Sequence, residues 1–301
     1  FIYLWRNFDI FFYSVKIIIK SLKQFKHIMT INIKGELIDL SQPKIMGILN
    51  LTPDSFYDGG KFNAEDQALM QTEKMIREGA YFIDLGACST QPGADEISEE
   101  EEKKRLFTIL EKLIESFPKQ YFSIDTYRSA VAEGCLNIGA VMINDVSGGQ
   151  FDPKMMETVG KKNVPYVLMH LLGNPKDMQK NPKYNNVVQE VLYYFSEKIQ
   201  QAYSNGINDV IIDPGFGFGK TLEHNYALMN HLDLFQSLEL PLLIGISRKS
   251  MIYKKLGVTA DKALNGTTVL NTIALSKGAN ILRVHDVKQA KECVELLQAL
   301  R

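Results

Sequence analysis

The 301-residue sequence contains few cysteines, a single tryptophan and no excess of charge of either sign. Its three cysteines, Cys88, Cys135 and Cys293, are odd in number and far apart, which argues against a disulfide framework and against a CxxC metal site. Lys plus Arg number 34 and Asp plus Glu 35, so the net charge of −1 provides no global basic field to hold nucleic acid or an anionic membrane. We therefore expect a cytoplasmic protein, in a reducing compartment, that binds neither nucleic acid nor membrane.

Familiar catalytic signatures are also missing. The five histidines never occur at HxxxH spacing, and no Cys/His cluster is present, which disfavours a zinc site. There is no GxSxG nucleophile elbow. Residues 214–221 resemble a P-loop, but Pro214 stands where the first glycine of GxxxxGK[ST] belongs, and the same segment misses GxGxxG. We interpret its glycines as a tight turn that leaves the carboxylate of Asp213 at the tip of a strand.

Residues 1–28 differ in composition from the rest of the chain. They contain Trp5, the only tryptophan, and five basic residues against one acidic residue. Their longest uncharged stretch, 10–15, is too short for a bilayer span of ~20 residues. We expect residues 1–28 to be an extension outside the fold, with a targeting leader or a membrane anchor as alternatives. Residues 29–301 then match the ~250 residues typical of one (β/α)₈ barrel.

Short apolar runs alternate with helical segments from Lys44 onward. Eight runs, rich in Ile, Val, Leu and aromatic residues, predict strands buried on both faces of a parallel sheet. They cover residues 45–49, 81–85, 121–124, 140–143, 166–169, 210–212, 242–246 and 281–284. Eight β-then-α units without a linker predict a single (β/α)₈ TIM barrel, with a doubly wound open sheet as the alternative.

The helical segments have their own signals. Apolar residues recur at steps of three and four over 187–203 and again over 287–297, which predicts two amphipathic helices. Glycines before the strands predict helix ends in the left-handed conformation, and these are Gly79, Gly139, Gly160, Gly206 and Gly278.

Polar residues cluster where the predicted strands end. In a (β/α)₈ barrel these ends share one mouth, where such enzymes place their active sites. We therefore predict an active site at the C-terminal ends of the strands. The residues at these ends are Asn50, Ser89, Thr90, Asp125, Asn144, Asp145, His170, Asp213, residues 247–250 and residues 283–286.

Two chemical kinds stand out among these residues. Asp125, Asn144 and Asp213 offer the acceptors and the amide needed to read the edge of a planar heterocycle that carries N–H groups. Two of them, Asp125 and Asp213, are also a weak signature for a metal site, and all three are favoured helix N-caps. The second kind is cationic. Arg248, Lys249, Arg283 and His285 follow the last two predicted strands, where barrels often hold phosphate, and arginine suits phosphate oxygens because its donors are bidentate.

An ordered set of motifs resembles the dihydropteroate synthase family. The opening motif is MGILNLTPDSF at 46–56, followed by DGG at 58–60. The further motifs follow in the family's order at 89–90, 92–94, 124–126, 144–145, 213–220, 247–250 and 283–286. The resemblance implies a barrel enzyme of folate synthesis, a sulfonamide target, that joins (7,8-dihydropterin-6-yl)methyl diphosphate to p-aminobenzoate and releases pyrophosphate with Mg²⁺ assistance. It also implies a homodimer.

The resemblance assigns roles to individual residues. Asp125, Asn144 and Asp213 are implied to bind the pterin edge and Lys249 to lie against its ring. Asn50 is implied to join diphosphate oxygens and water around Mg²⁺, a metal that keeps several waters. The diphosphate is implied to be held by Thr90, Arg283 and His285. The p-aminobenzoate pocket is implied to be framed by Pro92, Phe218 and Ser250.

The implied mechanism follows from the charges that develop. Negative charge on pyrophosphate is stabilised by Mg²⁺, Arg283 and His285, and positive charge on the pterin methylene is offset by Asp125 and Asp213. The arylamine needs no strong general base because its nitrogen is already nucleophilic and neutral at pH 7.

Two positions in the second loop depart from the family pattern. Gln91 stands where an arginine is usual, which loses a charge at a phosphate-facing site. Cys88 replaces a polar residue, and we interpret it as a packing residue. The alternatives to a synthase are a pterin-binding methyltransferase, which does not need the diphosphate residues, and a non-catalytic pterin-binding homologue.

Overall fold

The computed structural model describes residues 29–51, 64–87, 97–174, 178 and 180–300 of the chain. The extension 1–28 lies outside the described residues. The strands are β1 (Thr30–Ile33), β2 (Glu36–Asp39), β3 (Lys44–Asn50), β4 (Phe82–Gly86), β5 (Tyr121–Asp125), β6 (Met142–Asp145), β7 (Tyr166–Met169), β8 (Val210–Asp213), β9 (Leu243–Ile244) and β10 (Ile281–Val284).

Eight of these strands form one parallel sheet in the order β8-β7-β6-β5-β4-β3-β10-β9. A parallel bridge between Ile212 and Leu242 joins the two ends of this order, and the Ile212 N–H donates to the carbonyl of Pro241 at 2.9 Å. The sheet therefore closes on itself. The predicted (β/α)₈ barrel is confirmed, and the open doubly wound sheet is excluded.

Helices surround the barrel and cover its outer face. They are α1 (Ala64–Arg77), α2 (Glu99–Ser116), α3 (Ser129–Ile138), α4 (Met155–Lys162), α5 (Val187–Ser204), α6 (Leu222–Asn230), α7 (Ser250–Leu256), α8 (Leu264–Ser276) and α9 (Val287–Ala299), with 3₁₀ helices at Leu232–Leu238 and Ala260–Lys262. None of the helices in the described ranges is both long and apolar enough to cross a membrane.

Helix α5 illustrates how the sequence pattern becomes structure. The side chain of Asn186 caps its first turn by accepting hydrogen bonds from the N–H groups of Val188 and Gln189. Val191 and Phe195 then lie on one buried face against the sheet. The amphipathic helices predicted at 187–203 and 287–297 are both confirmed.

An antiparallel hairpin of β1 and β2, which the sequence analysis did not predict, closes the amino-terminal end of the barrel. Lys34 and Gly35 form its turn with φ of 53° and 89°, the positive values that two-residue hairpins of type I′ require. Ile31, Ile33, Ile38 and Leu40 of this segment are buried. They pack in a cluster with the first inward-facing side chains of the barrel strands. The barrel is therefore plugged at this end, and its mouth lies at the opposite end.

The predicted left-handed helix ends are confirmed at four of the five glycines. Gly79, Gly139, Gly206 and Gly278 have positive φ. Gly160 instead lies inside α4, which ends at Asn163 with φ of 51°. A Cβ at position 160 would collide with the backbone oxygen of Asn205, so this glycine serves close packing rather than helix termination.

Candidate active site at the barrel mouth

Polar side chains replace the apolar core halfway along the barrel interior. Side chains alternate between the two faces of a strand, so Asp84 faces the interior two residues after Phe82, which belongs to the apolar cluster at the plugged end. Ser123 lies opposite Asp84 in the register of β4 and β5, and Asp125 follows at the end of β5. The interior is therefore apolar at the plugged end and polar toward the mouth.

Four polar side chains of the barrel interior are joined by hydrogen bonds, and we call them the interior network. They are Asp84, Asp125, Asn144 and Arg283. Arg283 donates from Nε to Asp84 Oδ2 at 2.6 Å and from Nη2 to Asp125 Oδ2 at 2.7 Å. Asn144 donates from Nδ2 to the same Asp84 oxygen at 2.7 Å. This bond orients the Asn144 amide, so that its Oδ1 remains as an acceptor for another molecule.

Asp84 is not among the site residues predicted from the sequence. It lies within the run 81–85, whose apolar pattern predicts a buried strand. An aspartate in a strand buried on both faces was the available signal, because such a carboxylate needs a partner. Within the described chain, Asp84 Oδ1 and Ser123 Oγ are buried without a hydrogen-bond partner, so each is available to a ligand or to ordered water.

A second group of polar residues surrounds the tip of β8. Asp213 is buried, and its Oδ1 accepts a hydrogen bond from the Gly215 N–H at 2.8 Å. Lys249 donates from Nζ to the carbonyl of Phe216 at 2.7 Å and lies 4.5 Å from the ring centroid of Phe218. A Cβ at Gly245 would lie 3.9 Å from Asp213 Oδ2 and from Lys249 Nζ. The absence of a side chain at Gly245 therefore leaves room between these two groups.

The loop after β8 is held in place by Lys220, a residue to which the sequence analysis gave no role. Its Nζ is buried and lies 2.8 Å from His170 Nδ1, and it donates to the carbonyls of Gly215 and Phe218 at 3.0 Å each. The glycines of the loop have positive φ, 68° at Gly215 and 84° at Gly217, which confirms the predicted tight turn.

Burial changes the acid–base properties of the mouth. Desolvation raises the pKa of Asp125 to about 7, opposed by Arg283 and reinforced by Asp84. Burial likewise raises the pKa of Asp213, with Lys249 opposing. Desolvation lowers the pKa of Lys249 to about 8, while Asp213 favours its charged form. The pKa values of Asp125 and Lys249 therefore lie close to neutral pH, so the charge of each residue depends on its surroundings.

His285 lies at the rim of the mouth. Its backbone N–H donates to Ser247 Oγ at 3.2 Å, and its Nδ1 lies 3.1 Å from the same oxygen. Desolvation by the surrounding strand ends, together with the positive charge of Arg283, lowers the pKa of His285 to about 4, although the residue keeps an exposed edge. The imidazole is therefore neutral at pH 7 in this state.

The structure decides the N-cap alternative for Asp125, Asn144 and Asp213. Helices α3, α4 and α6 have Arg128, Lys154 and Thr221 as N-caps, so the N-cap reading of Asp125, Asn144 and Asp213 is wrong. Over the described ranges, no group of three or more His, Cys, Asp or Glu side chains is placed to hold a metal ion. Asp125 is paired with Arg283.

The structure places the remaining predicted residues as follows. Asn50 is exposed at the end of β3, and Ser250 is the first residue of α7. Arg248 is one of the four cationic residues predicted where barrels often hold phosphate, but its guanidinium pairs with Asp286. Thr90, Gln91, Pro92 and Cys88 lie outside the described residues.

Comparisons with known proteins agree with this geometry. Residues 46–285 match the family model described as pterin binding enzyme. The dihydropteroate synthase of Haemophilus influenzae is 43% identical over 273 residues, which cover 90% of this chain and 98% of the relative. The chain belongs to the dihydropteroate synthase family. The motif resemblance found in the sequence is therefore confirmed.

Solved dihydropteroate synthases share the fold. The Yersinia pestis enzyme in complex with a sulfonamide drug has a TM-score of 0.85 and 42% identity, and the match covers 91% of this chain and 99% of that one. The Xanthomonas albilineans enzyme in complex with 7,8-dihydropteroate has a TM-score of 0.81 and 33% identity, with 90% and 98% covered. Like these relatives, the chain is a transferase with a (β/α)₈ barrel fold.

The raised pKa of Asp125 predicts an unusual pH dependence of stability. The pKa is about 7 in the folded state against 3.8 for the unfolded chain, so the stabilisation linked to its proton is complete below pH 3.8 and is lost as pH rises to about 7. Asp125→Asn cannot titrate. Its free energy of unfolding relative to wild type is therefore expected to rise by about 1–3 kcal/mol between pH 5 and pH 7.5 and then to level off.

Urea unfolding at several pH values measures this difference. The control is Glu73→Gln, which replaces an exposed carboxylate on α1. A constant difference between Asp125→Asn and wild type across this pH range would show that Asp125 is already ionised at pH 5.

Proposed function

We propose that this chain condenses (7,8-dihydropterin-6-yl)methyl diphosphate with p-aminobenzoate, giving 7,8-dihydropteroate and pyrophosphate in folate biosynthesis. The observation that carries the proposal is the interior network, which gathers carboxylate and amide acceptors beside Arg283 at the mouth. Membership of the dihydropteroate synthase family supports it, as does the fold shared with a relative solved with 7,8-dihydropteroate.

Pterin recognition is proposed to use Asp125, Asn144, Asp213 and Lys249. The 2-amino-pyrimidinone edge of a pterin presents N–H groups, which match the carboxylates and the Asn144 Oδ1 left over by its bond to Asp84. Lys249, whose Nζ donates to the carbonyl of Phe216, is proposed to lie against the ring. Donors from the pterin favour the charged form of a carboxylate, so binding is expected to lower the pKa of Asp125.

The same residues suit the charges of the reaction. As the C–O bond breaks, positive charge develops on the pterin methylene and negative charge on pyrophosphate. The buried carboxylates of Asp84, Asp125 and Asp213 stabilise the methylene in a low-dielectric interior. Arg283 has no hydrogen-bond partner at Nη1 among the described residues, and this group and His285 are proposed to hold the diphosphate. Thr90 is proposed to join them.

Mg²⁺ is proposed to bind at the mouth through Asn50. The donor set fits this metal, because Asn50 is exposed at the end of β3 and its side chain carries an amide oxygen, while no group of three or more His, Cys, Asp or Glu side chains in the described ranges could hold a metal without substrate oxygens. Mg²⁺ is usually bound by few protein groups, substrate phosphates and waters. When bound, it would supply positive charge to the departing pyrophosphate.

The p-aminobenzoate pocket is proposed to lie beside Phe218, Ser250 and Pro92. Phe218 is partly buried and packs on a small apolar cluster near the mouth. Ser250 is the first residue of α7. An arylamine is neutral at pH 7 and attacks the methylene without a strong general base. The reaction therefore depends on placement and electrostatics more than on proton transfer.

A homodimer is proposed through α8. This helix of 13 residues contains no charged residue, although Val269 and Ile273 on its outer face are 51% and 36% exposed. An uncharged helix side that exposes two large apolar residues is compatible with a subunit interface. A cytoplasmic location stays a prediction from the cysteine content.

A coupled pyrophosphate-release assay with both substrates tests the proposed reaction. We expect turnover that depends on p-aminobenzoate and is stimulated by Mg²⁺. Folded protein that binds the pterin diphosphate without releasing pyrophosphate would instead support a non-catalytic homologue. If so, Gln91→Arg is the variant expected to restore activity. A methyltransferase would leave the diphosphate intact, and Asn50, Arg283 and His285 argue against it.

Lys249→Ala is expected to weaken pterin binding. Loss of a charged donor at a largely desolvated site corresponds to about 1.5–3 kcal/mol, or about 10- to 100-fold in the dissociation constant. Isothermal titration with the pterin diphosphate measures it. Lys255→Ala, which removes an exposed lysine of α7, the helix that begins directly after Lys249, is the control. Unchanged affinity in Lys249→Ala would remove Lys249 from the pterin site.

Val269→Glu is expected to convert the dimer to a monomer, because it buries a charge in an apolar interface. Sedimentation velocity measures the mass of each variant. The control is Leu37→Glu, which places the same charge on the hairpin at the plugged end, where Leu37 is 68% exposed. A wild-type protein that sediments as a monomer, or a Val269→Glu protein that remains a dimer, would contradict the proposed interface.

A further inference from the structure

Two neighbouring strand ends carry the residues that the proposed function assigns to the two parts of the pterin substrate. Lys249, after β9, is assigned to the pterin ring, and His285, after β10, to the diphosphate. Strands β9 and β10 pair directly in parallel. Their relative position beyond the strands therefore decides how far apart the ring and diphosphate contacts lie.

A salt bridge joins these strand ends. Arg248 donates from Nε and Nη2 to the two carboxylate oxygens of Asp286 at 2.8 and 2.9 Å. Its Nη1 donates to the carbonyls of Ala260 and Asp261 at 3.2 and 2.5 Å. Every guanidinium nitrogen of Arg248 is thus used within the protein, which leaves none directed at a phosphate.

The backbone of Arg248 is in an unusual conformation. Its φ is 54°, in the left-handed region that glycine and asparagine tolerate better than arginine. The Lys249 N–H donates to the carbonyl of Ile246 at 3.0 Å, so Arg248 is the third residue of a tight turn, a position that usually takes glycine when φ is positive. The chain has arginine there despite the strain, and the side-chain contacts explain why.

The Arg248 turn is fixed from both of its sides. The Arg248 N–H donates to Thr267 Oγ1 at 3.0 Å, which attaches it to α8. Ser247, the preceding residue, accepts the backbone N–H of His285. Two contacts therefore join the segment before Lys249 to the end of β10. Arg248 contacts Asp286, and Ser247 contacts His285.

We propose that Arg248 and Asp286 are a pair of positioning residues that sets the distance between Lys249 and His285. Neither contacts the substrate. The bidentate bridge joins the turn before Lys249 to Asp286, the residue after His285. Lys249 can then contact the pterin ring while His285 contacts the diphosphate of the same substrate. The proposal rests on the proposed function for the roles of Lys249 and His285.

Arg248→Gly separates this role from a structural one. Glycine adopts a positive φ without strain, but it removes the salt bridge to Asp286. If Arg248 served only to form the turn, its replacement by glycine would leave the kinetics unchanged. We expect kcat/KM for the pterin diphosphate to fall by about 10- to 100-fold, as displacement of a catalytic group by about 1 Å does. KM for p-aminobenzoate should change far less. Arg248→Lys, which keeps the charge and one donor, should fall between Arg248→Gly and wild type.

The matched control is Glu239→Gly. Glu239 also has a φ of 54° and is exposed at the opposite end of the barrel, so this variant relieves the same strain away from the mouth. Its kinetics should equal those of wild type. Asp286→Asn should show a defect in the same parameter as Arg248→Gly, and the double variant should lose no more than the worse single variant, because both changes weaken the same salt bridge.

The outcomes are distinct. Wild-type kinetics in Arg248→Gly, or additive losses in the double variant, would overturn the positioning role. If Arg248→Gly fails to fold, Arg248→Lys and Asp286→Asn decide the question, and wild-type kinetics in both would overturn it. Absence of turnover by the wild-type protein in the same assay would instead count against the proposed function.

Discussion

Arg283 donates to two carboxylates inside the barrel, and the rest of the mouth depends on this arrangement. The partly buried charge of Arg283 needs groups that pair and hydrogen-bond with it, and Asp84 and Asp125 supply both. Asp84 in turn accepts a hydrogen bond from the Asn144 amide N–H, which leaves the amide oxygen of Asn144 as an acceptor. Removing either carboxylate would therefore disturb several groups at once, since each member of the interior network is a partner of another.

The network also explains why a charge-neutral chain can handle an anionic substrate. The positive charge of Arg283 and Lys249 is brought to one opening by the strand ends, while the neighbouring carboxylates keep the total charge of the interior small. Burial raises the pKa of Asp125 to about 7 and lowers that of Lys249 to about 8. A substrate that brings its own charges can thus change the protonation of the site that receives it.

The barrel could be predicted from the sequence because its signal repeats. Each buried parallel strand reads as an apolar run, and each strand end brings polar residues to the same opening. Asp84 was missed because a single charge inside such a run says nothing of its partner, which lies 199 residues away. The assignment of Arg248 differed for the same reason. A sequence shows that a guanidinium follows a strand, but only the fold shows that it points at Asp286. The hairpin of β1 and β2 was missed although its alternating pattern around Lys34 and Gly35 was present.

Closure of the sheet has a consequence for how the protein is made. Strand β3 pairs with β10, for example Lys44 with Ile281, so nearly the whole chain must leave the ribosome before this edge of the sheet finds its neighbour. Asn32 of the hairpin likewise bonds to Asp209. Until then, β3 presents an open row of backbone donors and acceptors, the kind of edge that invites pairing between chains. Nascent chains that are interrupted before residue 281 therefore keep this edge of β3 open to other chains.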